Sequence, residues 1–258
     1  MMLSIVMASF KRPALLKIGL ESISRQNIKY PFEIIVVNDG IEDETEKVCK
    51  SFPQLDIKYY FSGKRNTPTI LWRCPGFALN IGIQKAQGKY ILLTSPEIYY
   101  LTPNCLNNMI KSADSHPIHL TIPESGYDDM TGKVTQKILN GDTNTISTNL
   151  LNYLNLKLPF CLLLEKIELL MIGGYDEDFI GYCYDDNDII NRLHLNGANQ
   201  YNIVKNEKIL HLFHGSRLHR EGLINRAEQM NYNKKILETK QKTVLRNIGR
   251  EWGVLNNE

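Results

Sequence analysis

The sequence predicts one α/β domain, a mostly parallel central sheet with helices on both faces. Strand-like and helix-like segments alternate from the N-terminus, the order that builds parallel sheets through crossover helices. Residues 33–39 and 90–94 contain continuous apolar runs, as suits strands covered on both faces. At 258 residues, 43% hydrophobic and 22% charged, the chain is an ordinary globular sequence, long enough for one large α/β domain or two small ones.

Each element follows from its pattern. LSIVMAS (3–9) is β-rich. Residues 12–26 carry Leu15, Ile18 and Ile23 at helical spacing, with Pro13 suited to a first helical turn. EIIVVND (33–39) reads as the second strand, 43–52 as a short helix, and DIKYYF (56–61) as an alternating third strand. A helix is expected over 76–87, closed by Gly88 as its C-cap, before the strand at 90–94. Proline has no N–H for a ladder, so at Pro96 the strand stops or lies at a sheet edge, and Glu97 is left at a strand's carboxyl end. From 124 to 158 the pattern dissolves into Gly, Asp, Asn and Thr, which predicts a long mobile loop acting as a lid or binding segment. Helices at 165–171 and 185–196, strand-like pieces at 201–213 and a polar helix near 217–240 complete the second half.

Composition narrows the partners. A net charge of +2 gives no support for nucleic acid or an anionic membrane as main partner. Five scattered cysteines without a C-x-x-C pair read as reduced thiols, without structural zinc, in a cytoplasmic protein. The apolar run 3–8 is too short for a signal core or a transmembrane segment.

Two strand ends offer ligand sites. At Ala8, Ser9 and Arg12 a strand meets a helix N-terminus, where backbone amides and a guanidinium suit a phosphate. An ordinary N-cap at Ser9 with a solvated Arg12 is the alternative. Asp39, before Gly40, could accept from a base or ribose, or form an Asx-turn.

The strongest local signal is GGYDEDFIGYCYDDNDIINRL, 173–193. With Asp185 as N-cap, Asp186 shares a helix face with Ile189, Ile190 and Leu193 and is carried inward at a pocket edge. Burial would raise its pKa toward that of a general base, whereas the helix N-terminus pulls it down, and the sequence leaves the balance open. Asp188 lies four residues before Arg192 and is expected to pair with it on the helix flank. In ILHLFHGSRLHRE, 209–221, His214 falls at a strand's end and can reach out of the sheet, whereas alternation puts His211 in or beside the core. Glu97 and His214, with diphosphate oxygens, would suit Mn²⁺ or Mg²⁺.

These segments together resemble a known family. SIVMASFKRPALLKIGLESISRQ followed by FEIIVVNDG is similar to the opening of family 2 glycosyltransferases of the GT-A fold, and ALNIGIQKAQGKYILL to their approach to the metal motif. IGYCYDDNDIINRL resembles the acidic element of β-1,4-galactosyltransferases. The His-x-x-His-Gly-Ser-Arg run resembles the metal segment of those enzymes and of polypeptide N-acetylgalactosaminyltransferases.

The resemblance implies one GT-A domain, with a nucleotide-sugar half at 1–115 and an acceptor half at 116–258. It implies that Ala8, Ser9, Arg12, Asp39, Asn80 and Ser95 line the nucleotide-sugar site and that Glu97 and His214 bind the metal. It makes Asp186 the catalytic base, with Asp185, Tyr184 and Gly181 on the acceptor side. Ser95-Pro96-Glu97 stands where Asp-x-Asp is usual, so Glu97 keeps the metal role while Ser95 loses a charge. The implied activity is metal-dependent, inverting transfer from a UDP-sugar to a hydroxyl of a glycan or glycoconjugate. A weak or inactive relative that only binds nucleotide sugars or carbohydrate is the alternative. A nucleotidyltransferase would need a Gly-rich basic loop where this chain has MASFKR.

Overall fold

The computed structural model describes residues 2–65, 73–143, 146–149, 151–215 and 226–255. In chain order the elements are β1 (Leu3–Ser9), α1 (Pro13–Ser24), β2 (Phe32–Asn38), α2 (Thr45–Lys50), β3 (Ile57–Phe61), α3 (Pro75–Lys85), β4 (Tyr90–Thr94) and β5 (Ile98–Tyr100). There follow α4 (Cys105–Ser115), β6 (Leu120–Asp128), α5 (Lys133–Leu139), β7 (Asn152–Tyr153), β8 (Cys161–Glu165), α6 (Lys166–Met171), α7 (Asp185–Leu195), β9 (Tyr201–His211) and α8 (Arg226–Lys240).

One sheet runs β3-β2-β1-β4-β8-β6-β9-β5, with β7 paired to β6. The first half is parallel throughout, as the alternating pattern predicts: β1 lies between β2 and β4, and β3 flanks β2. The second half is mixed, because β8 runs antiparallel to β4 and β6, whereas β6 and β9 are parallel. Ile34 to Val37 and Ile91 to Leu93 are all fully buried, the signature of central strands covered on both faces. α3 packs on β1 and β2, α4 packs on β6, β8 and β9, and α1 lies against β5. Gly19 permits that last contact, since a Cβ there would meet the Pro96 carbonyl oxygen at 2.4 Å. α1 therefore rests directly on the turn that carries Glu97.

Two sequence expectations are corrected here, and a third is reached only in part. α3 ends at Lys85 with Ala86 as its C-cap, not Gly88, and the Gly88 N–H donates to Ser4 Oγ at 2.8 Å. The 124–158 segment is built rather than loop throughout: it holds the end of β6, then α5 and β7. Asp129 organises it, its carboxylate accepting the N–H groups of Gly132 (3.0 Å) and Thr135 (2.7 Å). The C-terminal helix is described from Arg226, and the part expected over 217–225 lies outside the described residues. Among the described residues no helix is long and apolar enough to cross a membrane.

Candidate functional site

Because β1, β2 and β4 are parallel, their carboxyl ends form one edge, the usual ligand edge of an open α/β sheet. β1 ends at Ser9, which is buried with its Oγ unpartnered, and beside it Ala8 is half-buried. Ser9 is not a helix cap: α1 starts at Pro13, and Arg12 holds the N-cap position without a side-chain cap. Across the edge, Ser95 Oγ is also buried and unpartnered. Unmatched buried hydroxyls are uncommon in native interiors and point to a ligand.

Glu97 is the centre of the edge. It is 3% exposed and its Oε1 is ion-paired to Arg12. The same oxygen faces His211 Nε2 at 3.6 Å and His214 Nε2 at 3.7 Å, while Oε2 is buried without a hydrogen-bond partner. Strand register makes this cluster. Ile98 pairs with His211 across β5 and β9, His211 pairs with Asp128 across β9 and β6, and Leu212 N–H donates to the Glu97 carbonyl at 2.9 Å. β9 ends at His211, so strict alternation stops there and His214 turns back to the same carboxylate. Phe213 N–H donates to Thr135 Oγ1 at 2.7 Å, which ties the histidine segment to α5.

The electrostatics follow. Burial would raise the Glu97 pKa, but Arg12 and the two histidines outweigh it and hold the carboxyl well below its usual range. Burial would lower His211, yet its hydrogen bonds to Asp128 (Nδ1 to Oδ1, 3.0 Å) and Glu97 lift it to about 9. His211 was expected in or beside the core; it is buried there, but its ring is turned on Glu97. The spacing His-x-x-His was the signal, and the alternating strand pattern hid it.

One donor atom each from Glu97, His211 and His214 lie within 4.8 Å of one another. A carboxylate oxygen and two imidazole nitrogens at that separation fit a divalent cation, and the Asp128 hydrogen bond leaves Nε2 of His211 facing the site. The unpartnered Glu97 Oε2 supplies a further buried acceptor.

A second corner sits at the end of β2. Asp39 N–H donates to the Ser9 carbonyl at 2.7 Å, and the Asp39 carboxylate accepts from Ser62 Oγ at 3.2 Å. Arg65 stacks its guanidinium 4.2 Å from the Phe77 ring centre and donates its backbone N–H to the Gly40 carbonyl. Ser62 and Arg65 carried no readable signal, being polar residues just after an ordinary strand. Asn80, expected beside the nucleotide, is wholly buried. Its amide donates to the Tyr175 carbonyl and to Glu177 Oε1, both at 2.9 Å, and accepts from Tyr175 N–H at 2.7 Å. It joins α3 to the 173–177 turn, so its place is in the interior rather than at the ligand edge.

The acidic helix meets the same edge. α7 starts at Asp185, and the N-cap position falls on Tyr184 instead of Asp185. The chain enters through three left-handed residues, Gly181 (φ 60), Cys183 (φ 74) and Tyr184 (φ 74). Asp185 is buried and accepts the Gly76 N–H (3.4 Å) at the start of α3, the helix that leads into β4. Asp186 is half-buried beside it; burial first, then the Asp185 carboxyl, push its pKa well up. Asp188 does pair with Arg192, Nε to Oδ2 at 2.7 Å, but not on an exposed flank. Both are fully buried, and Asp188 Oδ1 also accepts from Arg246 at 2.7 Å.

Comparison with known proteins adds a lineage. The family model described as Glycosyl transferase family 2 matches residues 4–162, from β1 into β8. A stretch of 58 residues, 22% of the chain, is 40% identical to the hyaluronan synthase of Pasteurella multocida and covers 6% of it. Over 130 residues, 49% of the chain, it is 33% identical to an uncharacterized glycosyltransferase of Rickettsia conorii, covering 20% of that protein. Over 116 residues it is 34% identical to the uncharacterized glycosyltransferase YwdF of Bacillus subtilis, covering 39%. The chain thus spans less than half the length of these relatives. Among solved structures, S. aureus TarS superposes with a TM-score of 0.61 at 14% identity, over 93% of this chain and 43% of that one. TarS 1–349 in complex with UDP-GlcNAc gives 0.60 at 15% identity, over 93% and 66%. At such identity the likeness speaks for the fold, a GT-A arrangement.

Proposed function

Because the chain belongs to glycosyl transferase family 2, we propose that it is a glycosyltransferase that moves a sugar from a UDP-sugar to a hydroxyl acceptor, a glycan or glycoconjugate, with inversion and with a divalent cation. The observation that carries this reading is the meeting of Glu97, His211 and His214 at the carboxyl edge, with Glu97 Oε2 buried and unpartnered. The complex of TarS with UDP-GlcNAc supports the choice of a UDP-sugar.

In this reading Asp39, Ser62 and Arg65 receive the uridine, and Ser9, Arg12 and Ser95 face the diphosphate. Glu97, His211 and His214 would hold Mn²⁺ or Mg²⁺. Such an ion, when bound, neutralises charge on the leaving diphosphate. Asp186 accepts the proton of the acceptor hydroxyl while that oxygen bonds to the anomeric carbon. The bond from that carbon to the diphosphate oxygen breaks on the opposite face, its electron pair leaves with UDP, and the configuration inverts. A carboxyl with a raised pKa is the stronger base once ionised, as this step requires. The likeness of residues 180–193 to β-1,4-galactosyltransferases supports the role given to Asp186; residues 216 and 217 of the histidine run lie outside the described residues.

The test is a panel of UDP-sugars with candidate hydroxyl acceptors, with and without Mn²⁺, read as UDP release and new glycan. The expected result is Mn²⁺-dependent transfer from one UDP-sugar. Transfer unaffected by chelation overturns the metal assignment, and no UDP release with any donor overturns the donor class.

A further inference from the structure

α8 is largely polar, yet among its described residues one side chain is buried completely. Asn233 is 0% exposed and reaches into the turn that leads to α7. Its Oδ1 accepts the Ile180 N–H at 3.1 Å. Its Nδ2 lies 2.6 Å from the Ile180 carbonyl, 2.9 Å from that of Tyr182 and 3.0 Å from that of Cys183. One amide thus gathers four backbone groups within the left-handed stretch that enters α7, where Cys183 and Tyr184 hold φ values that non-glycine residues rarely adopt. A donor is required on that side, because the three carbonyl oxygens it faces can only accept. Asn233 Nδ2 also lies 3.8 Å from Cys74 Sγ, beside the start of α3.

We infer that Asn233 is a positioning residue for the proposed transfer, holding the 180–184 turn so that Asp186 is presented at the ligand edge. The inference rests on the proposed role of Asp186 but reaches a helix outside the family match. Asn233 sets the geometry of the base and leaves the nucleotide corner alone. Its removal should therefore lower kcat while UDP affinity stays unchanged. Misplacement of a reacting group by about 1 Å can cost about 10²-fold in rate.

The experiment uses the full chain with Asn233→Ala and Asn233→Asp. The aspartate keeps the size and the acceptor for Ile180 N–H but offers no donor to the carbonyls. Three readouts are taken: UDP affinity by calorimetry, kcat for transfer, and the rate at which Cys183, half-buried in the turn, reacts with a thiol reagent, located by peptide mapping. The expected result is faster Cys183 labelling and about 10²-fold lower kcat in both variants, with unchanged UDP affinity. An Asp variant that keeps wild-type kcat and labelling means that Asn233 only fills space, and overturns the inference. So does unchanged Cys183 labelling in the Ala variant. If all five cysteines react at once a variant has unfolded, and Asn233→Ser, which retains a donor, decides by the same readouts. Should wild type show no transfer at all, the functional reading fails, and the labelling arm still decides whether Asn233 holds the turn.

Discussion

Arg12 and Glu97 are ion-paired through the one carboxylate oxygen that also faces His211 and His214. A cation at the cluster and the Arg12 guanidinium therefore compete for the same acceptor. When a cation takes it, Arg12 is released toward another anion, and the nucleotide diphosphate is the anion expected at this edge. Arg12→Ala should then bind Mn²⁺ alone more tightly and UDP more weakly, the latter by the roughly 1.5–3 kcal/mol of a charged hydrogen bond. Calorimetry with Mn²⁺ and with UDP separately checks both signs. Weaker Mn²⁺ binding in the variant would show that Arg12 supports the cluster rather than competing with it.

The cation should also compete with a proton. His211 holds its proton up to about pH 9, because the bonds to Asp128 and Glu97 outweigh burial. A ligating imidazole must be neutral, so Mn²⁺ uptake at neutral pH displaces about one proton. The sign is fixed: affinity rises with pH, up to roughly tenfold per unit, and levels off above about 9. Titrations from pH 6 to 8.5 in buffers of different ionisation heat measure the released proton directly. His211→Ala and His214→Ala should each weaken Mn²⁺ binding. A pH-independent affinity would remove His211 from the ligand set.

The N-terminal half was legible because its signals are local. Apolar runs such as Ile34 to Val37 fix buried parallel strands, and parallel strands put Ser9, Asp39 and Glu97 at one edge without further information. The second half was less legible because its organisation is polar and long-range. Asp129 orders α5 through hydrogen bonds that periodicity cannot register. Asn233 and Lys240 dock α8 by polar contacts to the 176–183 segment in place of an apolar stripe. Asp188 read correctly as a partner of Arg192, but its burial depends on Arg246, 58 residues away. His211 needed the register of three strands to reveal which way it turns.

One buried acid concerns stability alone. Glu33 is fully buried in β2 and accepts from Ser4 Oγ (2.6 Å), Lys58 Nζ (2.5 Å) and Gln87 N–H (2.7 Å). Burial would raise its pKa, but these partners outweigh it and lower the value. The folded pKa lies below the unfolded one, so its stabilisation is present above about pH 4.5 and lost as pH falls. Glu33→Ala should cost about 2–3 kcal/mol at pH 7, under the 3–5 typical of a fully buried pair because Lys58 is 30% exposed. Denaturant titrations at pH 7 and pH 4 check it, and the cost should shrink at the lower pH. An equal cost at both values would mean that volume, not charge, is what Glu33 supplies.

The base assignment is tested by Asp186→Asn, which keeps size and hydrogen bonding but cannot take a proton. General-base catalysis contributes about 10²–10⁴-fold, so kcat should fall by that much while UDP affinity is nearly unchanged. The pH profile adds a second readout. Asp186 must be ionised to act, and burial with Asp185 raises its pKa, so wild-type kcat should climb through an acid limb above the ordinary carboxylate range and then level. The variant should lose that limb. Asp188→Asn is no control, since it would uncouple a buried Arg192 and Arg246 and threaten the fold. Asn187→Ala serves instead, because Asn187 is exposed on the same turn of α7 and should leave kcat within about twofold. If Asn187→Ala loses as much activity as Asp186→Asn, the helix end is merely fragile. If Asp186→Asn retains full transfer with the acid limb intact, another group takes the acceptor's proton.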